Sequence, residues 1–241
     1  MVIIYIDAND IKISYEVEGD GDPIILLHGW GANKNTFNKL SNELKENFKV
    51  YKIDLPGFGD TEIGLPLSVH EVSEYIYEFT KIFNIDNPIL ICHSYGGRIG
   101  IIFASKYKVK KLILVSSAGV REKLRISRKM KIKAYKMLKK IGIKVKMGSK
   151  DYLNCDNVKK AMLVNAVNTD LTEEMKKIKC PTLLIYGDKD TSTPLSIANH
   201  INENIKNSSL ITLDDTGHFP YLEKPTIFNL ILNSFLIGDE E

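Results

Sequence analysis

Short apolar blocks of strand length recur along the chain, and amphipathic stretches of helix length separate most of them. Residues 3–6 and 11–17 flank Ala8-Asn9-Asp10 and predict an opening antiparallel hairpin. Further strands are expected at residues 24–27, 50–53, 89–92, 111–115, 181–186 and 209–213. Helices are expected over about residues 36–46, 68–83, 96–107, 195–204 and 221–236. Ser68-Val69-His70-Glu71 has the spacing of a capping box and should open the second of these. Nearly continuous apolar strands between amphipathic helices mean a mostly parallel sheet covered on both faces. The expected fold is therefore α/β, with eight strands and flanking helices.

Between about residues 118 and 177 this rhythm breaks. Residues 121–146 hold twelve Lys or Arg against one acid, Glu122, so by difference the rest of the +3 chain sums to about −8. Ile126, Met130, Ala134, Met137 and Ile141 form an apolar stripe at helical spacing inside that basic stretch. The plain reading is a solvated basic face whose stripe packs on the domain. The alternative is that the positive face attracts anionic acyl substrates or an anionic membrane surface. Nucleic-acid binding is not indicated, because one basic helix lacks aromatic interleaving and a recognisable module.

Composition changes this picture little. At 241 residues the chain suits one domain, large enough to bury roughly 70–75% of its unfolded surface. A hydrophobic share of 44% and a charged share of 26% are those of a globular protein. No apolar run approaches the roughly 20 residues that span a bilayer. Asp7 interrupts the first apolar run, so no secretory leader is expected. Cys92, Cys155 and Cys180 are odd in number and lack a C-x-x-C pair, which points to free thiols in a reducing cytoplasm. Neither a metal nor an organic cofactor is expected, since no zinc spacing, phosphate loop or H-E-x-x-H helix is present.

The chemistry concentrates at strand ends. Ile89-Leu90-Ile91-Cys92-His93-Ser94-Tyr95-Gly96-Gly97-Arg98 is an apolar strand that runs into a serine and at once into a helix. Such a turn is strained, and the positions two before and two after the serine must be small, as Cys92 and Gly96 are. A serine at its apex presents a hydroxyl in the crevice beyond the strand's carboxyl end. A hydroxyl is a weak nucleophile at neutral pH and needs a base, an acid that orients the base, and donors for the developing oxyanion. Downstream, the strand at 181–186 ends in Gly187-Asp188-Lys189-Asp190, which carries two carboxylates. The strand at 209–213 ends in Asp214-Asp215-Thr216-Gly217-His218-Phe219-Pro220, which presents one histidine. Upstream, the strand at 24–27 ends in His28-Gly29-Trp30-Gly31, a loop able to turn a backbone N–H toward the serine.

Taken together, these motifs resemble those of the α/β-hydrolase fold superfamily nearly end to end. His28-Gly29-Trp30-Gly31 is similar to the family's oxyanion loop, and Asp54-Leu55-Pro56-Gly57-Phe58-Gly59 to its D-x-P-G-x-G turn. His93-Ser94-Tyr95-Gly96-Gly97 resembles the nucleophile elbow, with Cys92 in place of the commonest elbow glycine. The nearest flavour is the group of small esterases that includes the pimeloyl-ester carboxylesterase of biotin synthesis. The resemblance implies Ser94 as nucleophile, His218 as base and Asp190 as acid, because the family's G-x-x-D spacing selects the second carboxylate. It further implies oxyanion donors at the Trp30 and Tyr95 backbone N–H groups, and a helical lid inserted after the sixth strand. The organisation is then residues 1–117 and 178–241 as core and 118–177 as lid. Trp30, Phe219 and Met137 are the expected substrate contacts. His28 and His93 are expected to be structural hydrogen-bonders and His70 and His200 to face solvent, with Asp54, Asp188, Asp214 and Asp215 as loop and turn residues.

The implied activity is cytoplasmic hydrolysis of carboxylic esters or thioesters, with a small-molecule ester as the partner and no membrane contact expected. A serine nucleophile disfavours dehalogenation and epoxide opening, which use an aspartate in this fold. Perhydrolysis and carbon–carbon bond hydrolysis use the same triad and stay open, as does a ligand-binding receptor with a vestigial triad. A membrane-associated lipase is the remaining variant.

Overall fold

The computed structural model of the protein describes residues 4–8, 11–121, 152–153 and 155–238. Eight strands form a single sheet in the order β1-β2-β4-β3-β5-β6-β7-β8. They are β1 (Ile4–Ala8), β2 (Ile11–Glu18), β3 (Asp22–Leu27), β4 (Phe48–Ile53), β5 (Ile89–His93), β6 (Lys111–Val115), β7 (Thr182–Gly187) and β8 (Ser208–Leu213). The opening hairpin β1–β2 and the β2–β4 pair are antiparallel, while every pairing from β4 through β3 to β8 is parallel. The parallel run brings the carboxyl ends of β3, β5, β7 and β8 to one edge.

Alternate residues of each central strand enter different cores. Ile25, Leu27, Leu90 and Cys92 face one layer, and Ile24, Leu26, Ile89 and Ile91 the other. The first layer is covered by α2 (Val69–Ile82), α3 (Tyr95–Lys106) and α6 (Leu195–Asn204), through Ile76, Phe79, Ile99, Ile102, Ala198 and Ile201. The second is covered by α1 (Asn38–Leu44) and α8 (Pro225–Ile237), through Leu40, Leu44, Phe228, Leu232 and Leu236. Ser68 opens α2 with the expected capping box: its side chain accepts from Glu71 N–H, and the Glu71 carboxylate accepts from Ser68 N–H.

Two helices differ from their sequence-based outlines. The first begins as a 3-10 turn, Lys34–Phe37, before α1. The closing helix divides into α7 (Pro220–Glu223) and α8, because the ring of Pro225 forces Lys224 out of helical backbone, at φ −132° and ψ 57°. Between β6 and β7 lie α4 (Asn157–Asn168) and α5 (Thr172–Met175). Met137 and the rest of the apolar stripe lie outside the described residues. The two ends of the insertion are joined at its base, where Leu171 N–H donates to the Gly119 carbonyl at 2.9 Å. Buried Arg98, on α3, donates to the Thr169 carbonyl at 2.8 Å and ties that base to the sheet. α4 reaches over the Asp54–Gly59 turn: Lys159 Nζ lies 6.0 Å from the Phe58 ring centre, and Met162 packs beside Gly57. Among the described residues no helix is long and apolar enough to cross a membrane.

Candidate active site

Ser94 joins β5 to α3 with no intervening residue, and its backbone pays for the abruptness with φ 51° and ψ −108°. A non-glycine residue in that region costs on the order of 1–3 kcal/mol and persists only where neighbours enforce it. Here Ser94 N–H donates to the Val115 carbonyl at 3.0 Å, and its own carbonyl accepts from Gly97 and Ala118 N–H. The turn also presses α3 onto β3: a Cβ on Gly96 would stand 2.2 Å from the Leu27 carbonyl oxygen, so only glycine fits. The outcome is a half-buried serine whose hydroxyl points along the carboxyl edge of the sheet.

The structure brings Ser94, His218 and Asp190 together from three strand ends. His218 Nε2 lies 3.0 Å from Ser94 Oγ, and His218 Nδ1 lies 2.7 Å from Asp190 Oδ2. Asp190 is buried, and burial by itself opposes its ionisation. Four donors outweigh that. Oδ1 accepts from Ser192 and Thr193 N–H at 2.8 and 3.0 Å, and Oδ2 accepts from Thr193 Oγ1 at 2.6 Å and from His218. Together they hold the carboxyl well below the usual carboxylate range. A filled, ionised acid fixes the tautomer of His218, with the proton on Nδ1 and a bare Nε2 facing the serine.

The second carboxylate of that loop does something else. Asp188 Oδ1 accepts from Thr216 N–H at 3.1 Å and shapes the turn, as expected for it. Asp215, at φ 51°, is a turn residue whose carboxylate meets Lys189 on the surface. His200 departs from its expected solvent-facing role. It is half-buried, with Nε2 2.9 Å from Thr172 Oγ1 beneath the insertion.

The loop after β3 stands beside the serine. His28 is fully buried, its Nδ1–H donating to the Gly29 carbonyl at 2.8 Å and its Nε2 accepting from Leu55 N–H at 3.0 Å. Burial pushes its pKa down to about 4, so it is a neutral brace. The brace rests on a buried ion pair that sequence reasoning missed. Lys34 Nζ lies 2.6 Å from Asp54 Oδ2, 2.9 Å from Ser14 Oγ and 3.0 Å from Asp60 Oδ2, and Lys34 N–H donates to Asp54 Oδ1 at 2.7 Å. Burial disfavours both charges, but their contact and the backbone donors keep Lys34 above and Asp54 below their ordinary values. Asp54 thus fixes its own loop, as expected, and the next one too. Among the described residues, neither Trp30 N–H nor Tyr95 N–H donates to a backbone carbonyl outside the regular elements, and Tyr95 opens α3, where an amide has no intrahelical partner.

Trp30, Phe58 and Tyr95 form an aromatic wall at this point: Trp30 meets Phe58 and Tyr95 edge-on, with ring centres 4.8 and 5.2 Å away, and Phe58 and Tyr95 are tilted at 5.8 Å. Phe219 flanks the other side, 5.3 Å from the His218 ring and about one-third exposed, at 36%. Two more contributors escaped the sequence. Thr193 secures Asp190, and the only signal for it is the D-x-x-T spacing after the glycine loop. Glu223 accepts from Gly217 N–H at 2.7 Å and Phe219 N–H at 2.9 Å, gripping the backbone on both sides of His218. No motif marks it. Among the described residues no group of three or more His, Cys, Asp or Glu side chains could hold a metal ion.

Comparison with known proteins agrees with this fold. Residues 22–139 match the family model for the alpha/beta hydrolase fold, and residues 146–238 match one described as TAP-like protein. Lipase 1 of Psychrobacter immobilis is 29% identical over 90% of this chain and 78% of its own length. The pimeloyl-[acyl-carrier protein] methyl ester esterase of Neisseria meningitidis is 25% identical over 89% of this chain and 77% of its own. Among solved structures, an esterase from Exiguobacterium antarcticum superposes with a TM-score of 0.78 at 26% identity, covering 97% of this chain and 99% of that one. In motif order, sheet topology and relatives alike, the chain belongs to the α/β-hydrolase fold superfamily.

Proposed function

We propose that this protein is a serine hydrolase that cleaves carboxylic esters or thioesters of small to medium acyl groups, through an acyl-enzyme, in the cytoplasm. The observation that carries the reading is the continuous line Ser94 Oγ, His218 Nε2, His218 Nδ1, Asp190 Oδ2, with contacts of 3.0 and 2.7 Å. His218 takes the hydroxyl proton as Ser94 attacks the acyl carbonyl, and Asp190 stabilises the imidazolium that results. Trp30 and Tyr95 N–H groups donate to the tetrahedral oxyanion, a role supported by neither donating, among the described residues, to a backbone carbonyl outside the regular elements. His218 then protonates the departing alcohol, and water activated by the same ring releases the acid. No cofactor enters these steps. Trp30 and Phe219 line the acyl site in this reading, and residues 118–177 form a lid, supported by the position of α4 over Phe58.

The test is turnover of a nitrophenyl ester series from acetyl to palmitoyl by the wild type and by Ser94→Ala. The variant should stay folded and lose on the order of 10⁶ in kcat. A fluorophosphonate should label Ser94 and no other serine. A Ser94→Ala protein that keeps more than a tenth of wild-type turnover would overturn the assignment.

A further inference from the structure

His93 is the residue immediately before the proposed nucleophile, and it is only 1% exposed. Its Nε2 lies 2.8 Å from the backbone carbonyl oxygen of His218, across 125 positions of sequence. A carbonyl only accepts, so Nε2 carries the proton and donates. In the neutral ring Nδ1 is then a bare acceptor, and it is buried with no hydrogen-bond partner among the described residues. It faces the backbone of the oxyanion loop, where a Cβ on Gly29 would stand 2.8 Å from it.

A buried acceptor left unsatisfied weakens a fold. An apolar ring would fill the same space without that penalty, so shape alone does not explain a histidine here. What the ring adds is the Nε2–H bond, and its acceptor belongs to the proposed base. Consecutive residues of one strand end therefore hold the same partner twice: Ser94 Oγ meets the His218 ring, and His93 holds the His218 main chain. Resting on the hydrolase reading above, we infer that His93 is a positioning residue, which fixes the His218 backbone so that Nε2 stays within reach of Ser94 Oγ.

The surroundings keep that donor in place. His93 packs against the rings of His218 at 4.8 Å, Phe219 at 4.8 Å and Tyr221 at 5.4 Å. The titratable groups near it are His218, Asp190, His28 and Tyr221. Burial, helped by the neighbouring His218, pushes the His93 pKa down to about 3. The ring thus remains neutral, and a second cation never stands beside the imidazolium that forms on His218.

Two variants separate positioning from packing. His93→Phe keeps a ring and removes the donor, and His93→Gln places an amide N–H near the position of Nε2. The expected result is a fall of about 10- to 100-fold in kcat for His93→Phe with KM for the acetyl ester little changed, and recovery to within a few-fold in His93→Gln. A His93→Phe enzyme within twofold of wild type, or a His93→Gln enzyme as impaired as His93→Phe, would overturn the inference. Imidazole ¹⁵N spectra of the wild type supply a check that needs no variant and no turnover. His93 should hold its Nε2–H tautomer from about pH 5 to 9, and a charged ring or an Nδ1–H tautomer in that range overturns the proposal. The rate at which a fluorophosphonate labels Ser94 should also drop about tenfold in His93→Phe. Since the tautomer is read independently of activity, a wild type inert toward esters would sink the hydrolase reading while this contact was still judged.

Discussion

His28 and His218 stand in similar settings: each follows a parallel strand, sits in a glycine-flanked loop, and comes from a segment the sequence marks as chemical. Their surroundings separate them. His28 has spent both ring nitrogens, one on the Gly29 carbonyl and one on Leu55 N–H, and is sealed from solvent. His218 is half-buried, has one nitrogen on an ionised acid, and turns the other to a hydroxyl. The loops differ in the same sense. The His28 loop rests on the buried Lys34–Asp54 pair, whereas the His218 loop is gripped by an exposed carboxylate, Glu223. One loop rests on a buried ion pair and the other is held from outside, which suits the support and the working part of the proposed mechanism. Ring identity and loop position do not separate these two histidines; the nitrogen left facing a hydroxyl does.

The sharpest test of the working loop lies in its acid. Asp190→Asn should lower kcat by about 10⁴, because an amide leaves the wrong imidazole tautomer available, while Asp188→Asn changes it little. Steady-state kinetics on a nitrophenyl ester would decide this, and the reverse ranking would move the role to Asp188. The supporting loop should respond in stability instead. Lys34→Met leaves the Asp54 carboxylate buried without its counter-ion and should cost about 3–5 kcal/mol in urea unfolding. Glu223→Gln, at an exposed contact, should cost only about 1 kcal/mol. Similar costs for the two variants would erase the contrast between the loops.

Acid titration gives a smaller effect with a definite sign. The folded protein keeps His28 neutral down to about 4, whereas an unfolded histidine protonates near its ordinary value of 6.5. Between those values the unfolded chain binds more protons, so stability falls as pH drops below about 6.5. The loss from His28 is complete near its folded pKa and amounts to about 3 kcal/mol at roughly 1.4 kcal/mol per unit. His93 extends the decline toward about 3. His28→Gln should flatten the stability curve between pH 6.5 and 4, and an unchanged slope would mean that His28 is charged in the folded state.

Much of this could be read from local pattern. The strand blocks, the Ser68–Glu71 cap and the abrupt strand-to-helix serine are encoded by residues within a few positions of one another, and all appear where expected. The single helix expected over 221–236 overlooks the break at Pro225, although that signal too is local, because a proline excludes helical backbone from the residue before it. The burial of His200 is not legible in its helical spacing, which says nothing about the insertion packed over it.

By itself, then, the sequence determined the order of strands and helices, the elbow at Ser94, and the loops that present His218 and two candidate acids. Short-range sterics and hydrophobic periodicity dictate those features whatever the rest of the chain does. Only the tertiary structure decided which carboxylate meets His218, that Lys34 is buried beneath the loop after β3, and that Thr193, Glu223 and His93 converge on Asp190 and the His218 segment. Those relations join residues up to 125 positions apart, and they exist because parallel pairing brings distant strand ends to one edge of the sheet.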